Sequence, residues 1–99
     1  MEKLKPHYLL KAVQAQMTSP EALNLTLSAL SGIRAAGMGQ EDAVTVIQAP
    51  KPNDFYKSMT VHADHRIWQD VYHAQWQEVA LYIKFQQAGE YFVVSFKER

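Results

Sequence analysis

Ninety-nine residues, 47% of them hydrophobic and 20% charged, carry ten basic and ten acidic side chains and a formal net charge of +0. Such a chain is one globular domain over residues 1–99, not a disordered tail or a fibrous repeat. The absence of cysteine excludes disulfides, zinc–thiolate sites and a thiol nucleophile, and the balanced charge means that any basic patch for nucleic acid must be local.

The opening MEKLKPHYLL has two lysines but no continuous apolar run and no small-residue cleavage pattern. No stretch approaches the ~18 apolar residues of a membrane span. The expected location is the cytoplasm, with no membrane partner.

Pro6 suits the first turn of a helix, after which Leu9, Val13 and Met17 recur every fourth residue. Ser19-Pro20-Glu21 reads as a second helix start, with Thr26 as a rival cap. The earlier start makes a stripe of Leu23, Leu27, Leu30 and Ile33; the later one makes Leu30, Ile33 and Ala36. Gly37 supplies a left-handed C-cap. Residues 39–48 read as a third helix, with Glu41 and Asp42 at its positive end and Val44 and Ile47 facing inward. Pro50 stops it, and APKPND (49–54) is a stiff connector.

The period then changes from helical to alternating. WQDVYHAQWQEV predicts an antiparallel strand with a bend near His73 to Gln75. In ALYIKF, Leu81, Ile83 and Phe85 share one face, opposite Tyr82 and Lys84. In YFVVSFK, Phe92, Val94 and Phe96 alternate with Val93, Ser95 and Lys97. QAGE (87–90) is the hairpin turn between them, with Gly89 free to take a positive φ. Helices first and strands last predict an α+β fold, N-terminal helices packed on one face of a C-terminal antiparallel sheet. The other face, with Tyr82, Lys84, Ser95 and Lys97, is where function is expected.

Chemistry is densest in NDFYKSMTVHADHRIWQDVY (53–72). His62, Asp64 and His65 are acceptable zinc ligands, but their spacing matches no metal template, and no metal site is assigned. Ser58, His65 and Asp64 make a triad only on paper, since no strained nucleophile turn surrounds Ser58. Metal-free cleavage of RNA fits the inventory better, because RNA carries its own nucleophile, the 2′-hydroxyl. Such an enzyme needs a base, an acid and cations to hold charge building on phosphorus. Lys57, Lys84, Tyr82, Gln69 and His65 are suitable residue types. Tyr56, Trp68 and Tyr72 are candidates to stack on bases, a contact worth about 1–3 kcal/mol per base.

The motifs DFYKSMT (54–60), DH (64–65), IWQDVY (67–72), Y.K (82–84) and VSFKER (94–99) resemble the MqsR family of type II toxin–antitoxin mRNA interferases. The likeness is dense over residues 53–99 and thins to helix positions and turns over residues 8–52. It implies a RelE-like fold and an endoribonuclease that cuts free mRNA at GC-containing triplets such as GCU, independently of the ribosome and without a cofactor. The implied partners are an mRNA substrate and a cognate antitoxin with zinc-binding and helix-turn-helix domains. Family catalysis by a lysine, a glutamine and a tyrosine falls here on Lys57, Gln69 and Tyr82.

Chemistry then suggests the roles. Lys57 holds the non-bridging oxygens, Gln69 positions substrate, and Tyr82 exchanges a proton with the reacting oxygens. His65, with an ordinary pKa near neutrality, is a secondary acid/base candidate. Tyr56, His62, Lys84 and Lys97 are candidate RNA contacts. His62 stands where family members can carry tyrosine, and HAQWQEVA and QQAGE depart from the family pattern. The alternative reading is a non-catalytic RelE- or ParE-like module that binds protein or nucleic acid through the same face.

Overall fold

In a computed structural model describing residues 1–99, the chain after residue 54 is almost entirely antiparallel sheet. Strand β1 (Glu2–Lys3) precedes α1 (Leu10–Gln16), α2 (Leu27–Ala35) and α3 (Gln40–Gln48). Strands β2 (Phe55–Val61), β3 (Asp64–Trp76), β4 (Val79–Ala88) and β5 (Glu90–Glu98) follow as successive hairpins. The spatial order is β1-β2-β3-β4-β5, every pair antiparallel. The helices cover one face, giving the expected α+β architecture. No helix is long and apolar enough to cross a membrane.

The core lies between helices and sheet. Val13, Met17, Ala29, Ile33, Val46 and Ile47 pack against Tyr72, Leu81, Ile83, Phe85, Val93 and Phe96. Helix α2 approaches β5 so closely that a Cβ on Gly32 would collide with the Phe96 carbonyl, which accounts for a glycine in mid-helix despite its low propensity.

Helix boundaries differ from expectation where side chains compete for backbone. Pro6 does not open α1, because Asp70 takes the next two amides, those of His7 and Tyr8. Leu9 becomes the exposed N-cap instead of an inward residue. Pro20–Ala22 forms only a 3₁₀ turn. Thr26 caps α2, its hydroxyl accepting from Ala29 N–H at 3.2 Å, so Leu27 is exposed. Gly37 takes φ 79° after α2, as its place in the sequence predicts. In α3, Ala43 and Val46 join Ile47 in the core while Val44 is only half-buried.

The sheet brings three corrections. Residues 55–61 form a full strand, hidden in the sequence because its core-facing position is polar: Ser58 is buried against Asp70. Strand β3 runs without a bend through His73, and the chain reverses at Gln77, which takes φ 54°. A bulge then shifts β5: Lys84 pairs with Ser95 but Phe85 pairs with Val93, leaving Val94 as the extra residue. Val93 therefore enters the core in place of Phe92 and Val94, and Phe92 pairs with Gln86.

Both sheet edges are partly occupied by the N-terminal half. On the β2 side, β1 pairs with Ser58 and Met59. On the β5 side, the Gln16 amide bonds both ways with Tyr91 N–H and C=O at 2.8 Å. Thr26 N–H donates to the Val93 carbonyl, and its hydroxyl to that of Val94. Unpaired strand edges invite association with other chains, and these contacts blunt them.

Candidate active site

The face opposite the helices is built from three cross-strand rows. Paired residues on neighbouring strands point to the same side. One row is Met59, Gln69, Gln86 and Phe92. The next is Lys57, Val71, Lys84 and Ser95, and the third is His73, Tyr82 and Lys97. A register shift between Phe55 and Lys57 adds Tyr56 to this side. Its ring stacks on His73 at 4.8 Å and meets Tyr82 at 5.9 Å. Lys57, Gln69 and Tyr82, far apart in sequence, thus share one face with Tyr56, Lys84 and Lys97.

Each side chain has a distinct setting. The Lys57 ammonium pairs with Glu2 of β1 at 3.3 Å and lies 5.5 Å from the Tyr56 ring centre. Gln69 donates from Nε2 to Oε1 of Gln86 at 2.9 Å, which leaves its own carbonyl oxygen free to accept from a ligand. Lys84 is half-buried over Val71 and forms no ion pair. Burial first, then the neighbouring charges of Lys97 and Lys57, lower its pKa from the usual lysine value. A single face therefore offers fixed donors, a free amide oxygen, a phenol and a cluster of three lysines.

His62 and His65 lie away from this cluster, exposed at the β2–β3 hairpin end. His65 lies four positions before Gln69 on β3, about 13 Å away along the strand at a rise of roughly 3.3 Å per residue. The carboxylate beside them, Asp64, is gripped by Arg66 through Nε and Nη2 at 3.0 Å each, which holds it below the usual carboxylate range. No three His, Asp or Glu side chains converge anywhere in the fold. Ser58 bonds to Asp70 at 2.6 Å on the helix side of the sheet, so the paper triad does not assemble.

Of the three stacking candidates, Tyr56 alone is open, at 45% exposure. Tyr72 is buried in the core, where desolvation first, then the charge of Asp70, pushes its pKa up to about 12. Trp68 is covered by the N-terminal arm: the His7 ring stacks on it at 5.4 Å and Lys3 Nζ lies 4.2 Å from its centre.

The histidine that does reach the cluster is His73. Its ring packs 5.2 Å from Tyr82, and Nδ1 accepts from Arg99 Nη1 at 3.0 Å. Since arginine only donates, the neutral ring carries its proton on Nε2, which is buried without a partner. Burial and the Arg99 cation lower the His73 pKa, against an opposing effect of Asp54. A straight strand through 69, 71 and 73 would have placed His73 beside Gln69's face; the expected bend concealed it.

The full chain has counterparts among known proteins. A family model described as "Motility quorum-sensing regulator, toxin of MqsA" matches residues 5–98. The "mRNA interferase toxin MqsR" of Escherichia coli (strain K12) is 36% identical over 99 residues, covering all of both chains. The motif likeness of residues 53–99 thus extends through the helices that pack behind them, and the chain belongs to the MqsR toxin family.

Proposed function

We propose that this toxin is an endoribonuclease that cleaves mRNA at GC-containing triplets such as GCU, independently of the ribosome, by attack of the RNA's own 2′-hydroxyl. The observation that carries the reading is the placement of Lys57, Gln69 and Tyr82 on one open sheet face. Lys57 stabilises the negative charge that grows on the non-bridging oxygens, displacing Glu2 as phosphate arrives. Gln69, held by Gln86, positions the ribose or base through its free carbonyl. The Tyr82 phenol donates its proton to the departing 5′-oxygen. Tyr56, Lys84 and Lys97 line the strand path beside these groups, with His62 contacting RNA farther along at the hairpin end. The name of the Escherichia coli relative, an mRNA interferase, supports the same substrate class.

The chemistry needs no metal, because the nucleophile comes from the substrate and the charge is met by lysines. In the cell, a cognate antitoxin with zinc-binding and helix-turn-helix domains would neutralise the activity; the family description, toxin of MqsA, supports a dedicated partner. The test is incubation of the purified protein with a defined mixed-sequence RNA in EDTA. Discrete fragments ending in 2′,3′-cyclic phosphate at GC-containing sites are expected, at a rate unchanged by the chelator. Intact but retarded RNA would favour a binding module, and activity lost in EDTA and restored by zinc would overturn the metal-free chemistry.

A further inference from the structure

Transesterification requires a group to take the 2′-hydroxyl proton, and the trio Lys57, Gln69 and Tyr82 does not supply one readily. Gln69 does not titrate, and in the reading above Lys57 serves the non-bridging oxygens and Tyr82 the leaving oxygen. Of the further basic groups on this face, Lys84, Lys97 and His73, it is Lys84 that lies in the middle row.

Resting on that reading, we propose that Lys84 is the general base of the cleavage reaction, a catalytic residue and not only a contact for phosphate. It sits on β4, two residues from Tyr82 on the same face, between Val71 of β3 and Ser95 of β5. The buried Val71 gives it an apolar floor. No carboxylate is paired with its ammonium; the protein's two ion pairs are Lys57–Glu2 and Arg66–Asp64. Lys97 on the adjoining β5 and Lys57 on β2, one strand beyond Val71, add like charge on the same face. A lysine that is desolvated and crowded by other cations favours the neutral amine, the form with a lone pair to accept a proton. The direction of its pKa shift agrees with this arrangement.

The step balances with groups already in place. The Lys84 Nζ lone pair takes the 2′-hydroxyl proton as the 2′-oxygen bonds to phosphorus. The bond from phosphorus to the 5′-oxygen breaks, and Tyr82 protonates that oxygen. The products are a 2′,3′-cyclic phosphate and a free 5′-hydroxyl, with an ammonium on Lys84 and a phenolate on Tyr82. Proton return from the first to the second through solvent restores the enzyme. Lys57 holds the non-bridging oxygens throughout.

The groups that face Lys84 and bear on its pH response are Lys57 from β2, His73 from β3, Tyr82 on its own strand and Lys97 from β5. Only a free amine serves as base, so kcat/KM should rise with pH through the Lys84 pKa, forming the acid limb of the profile. Arginine keeps the charge but does not deprotonate in this range, so Lys84→Arg separates the two roles. With a GC-containing oligoribonucleotide, Lys84→Arg is expected to hold KM within about threefold and to lose roughly 10²-fold in kcat. Its rising acid limb should disappear with the rate. Lys84→Gln, uncharged and of similar length, should lose kcat to the same extent and raise KM as well. Circular dichroism verifies folding of both; should either fail to fold, the kcat of the other decides. A Lys84→Arg kcat near wild type, a Lys84→Gln loss confined to KM, or an unchanged acid limb in either variant would overturn the assignment, the last pointing to His73. Failure of the wild-type protein to cleave would instead overturn the endoribonuclease reading itself.

Discussion

Replacing Lys57 with alanine is expected to lower RNA cleavage by about 10²-fold or more while leaving the fold intact. The magnitude is that of removing one preorganised donor from a charge-stabilising site, equivalent to about 2.7 kcal/mol of transition-state stabilisation. The fold should survive because Lys57 lies on the face away from the core and its pair with Glu2 is partly exposed. Exposed pairs of this kind contribute about 0–1 kcal/mol. Single-turnover cleavage of a defined RNA, alongside a thermal melt of the same sample, measures both quantities. Undiminished cleavage by a folded variant would remove Lys57 from the mechanism.

The second large effect concerns stability. Asp70 is fully buried, yet its carboxylate accepts from the amides of His7 and Tyr8 and from the Ser58 hydroxyl. These bonds fasten the N-terminal arm across β2 and β3. Asp70→Ala removes an acceptor shared by three groups and leaves a void among them. A loss on the order of 3 kcal/mol is expected, since hydrogen bonds to charged groups contribute about 1.5–3 kcal/mol each and water can re-solvate part of the freed arm. For a chain of this size that lowers the melting temperature by about 12–24 °C. Hydrogen exchange at the His7 and Tyr8 amides should accelerate in the variant at temperatures where it remains folded. A melting point within about 4 °C of wild type would show that the arm is held by something other than Asp70.

How much of this could be read from residues alone depends on whether a signal was local. The alternation of Leu81, Ile83 and Phe85 named the inner face of β4 correctly, and the positive φ at Gly37 and Gly89 followed from local chain sterics. The α+β order was equally plain in the change of period. Signals made by distant partners were not legible. Ser58 disguised β2 because its hydroxyl is satisfied by Asp70, 12 residues away. Pro6 looked like a helix start because nothing nearby announces that Asp70 will claim the following amides. The bulge that sends Val93 inward is set by pairing with β4, not by the composition of β5. Among the candidate site residues, the motifs pointed to Lys57, Gln69, Tyr82 and Lys84, and all four lie on one face of the sheet. His73 was missed because its neighbours Tyr56, Tyr82 and Arg99 arrive from three other segments.

The attachment of the N-terminal half to both sheet edges also sets a timetable for synthesis. Met1 and Lys3 wait for residues 58–60, His7 and Tyr8 for Asp70, and Gln16 and Thr26 for residues 91–94. The first fifty residues are translated before any of these partners exist. At about 5–20 residues per second, the remaining chain takes roughly 2–10 s to appear. During that interval the helices have no sheet to cover, and their apolar sides are open to chaperones or to a waiting partner. The third row of the candidate face closes only when Lys97 is added to pair with Tyr82.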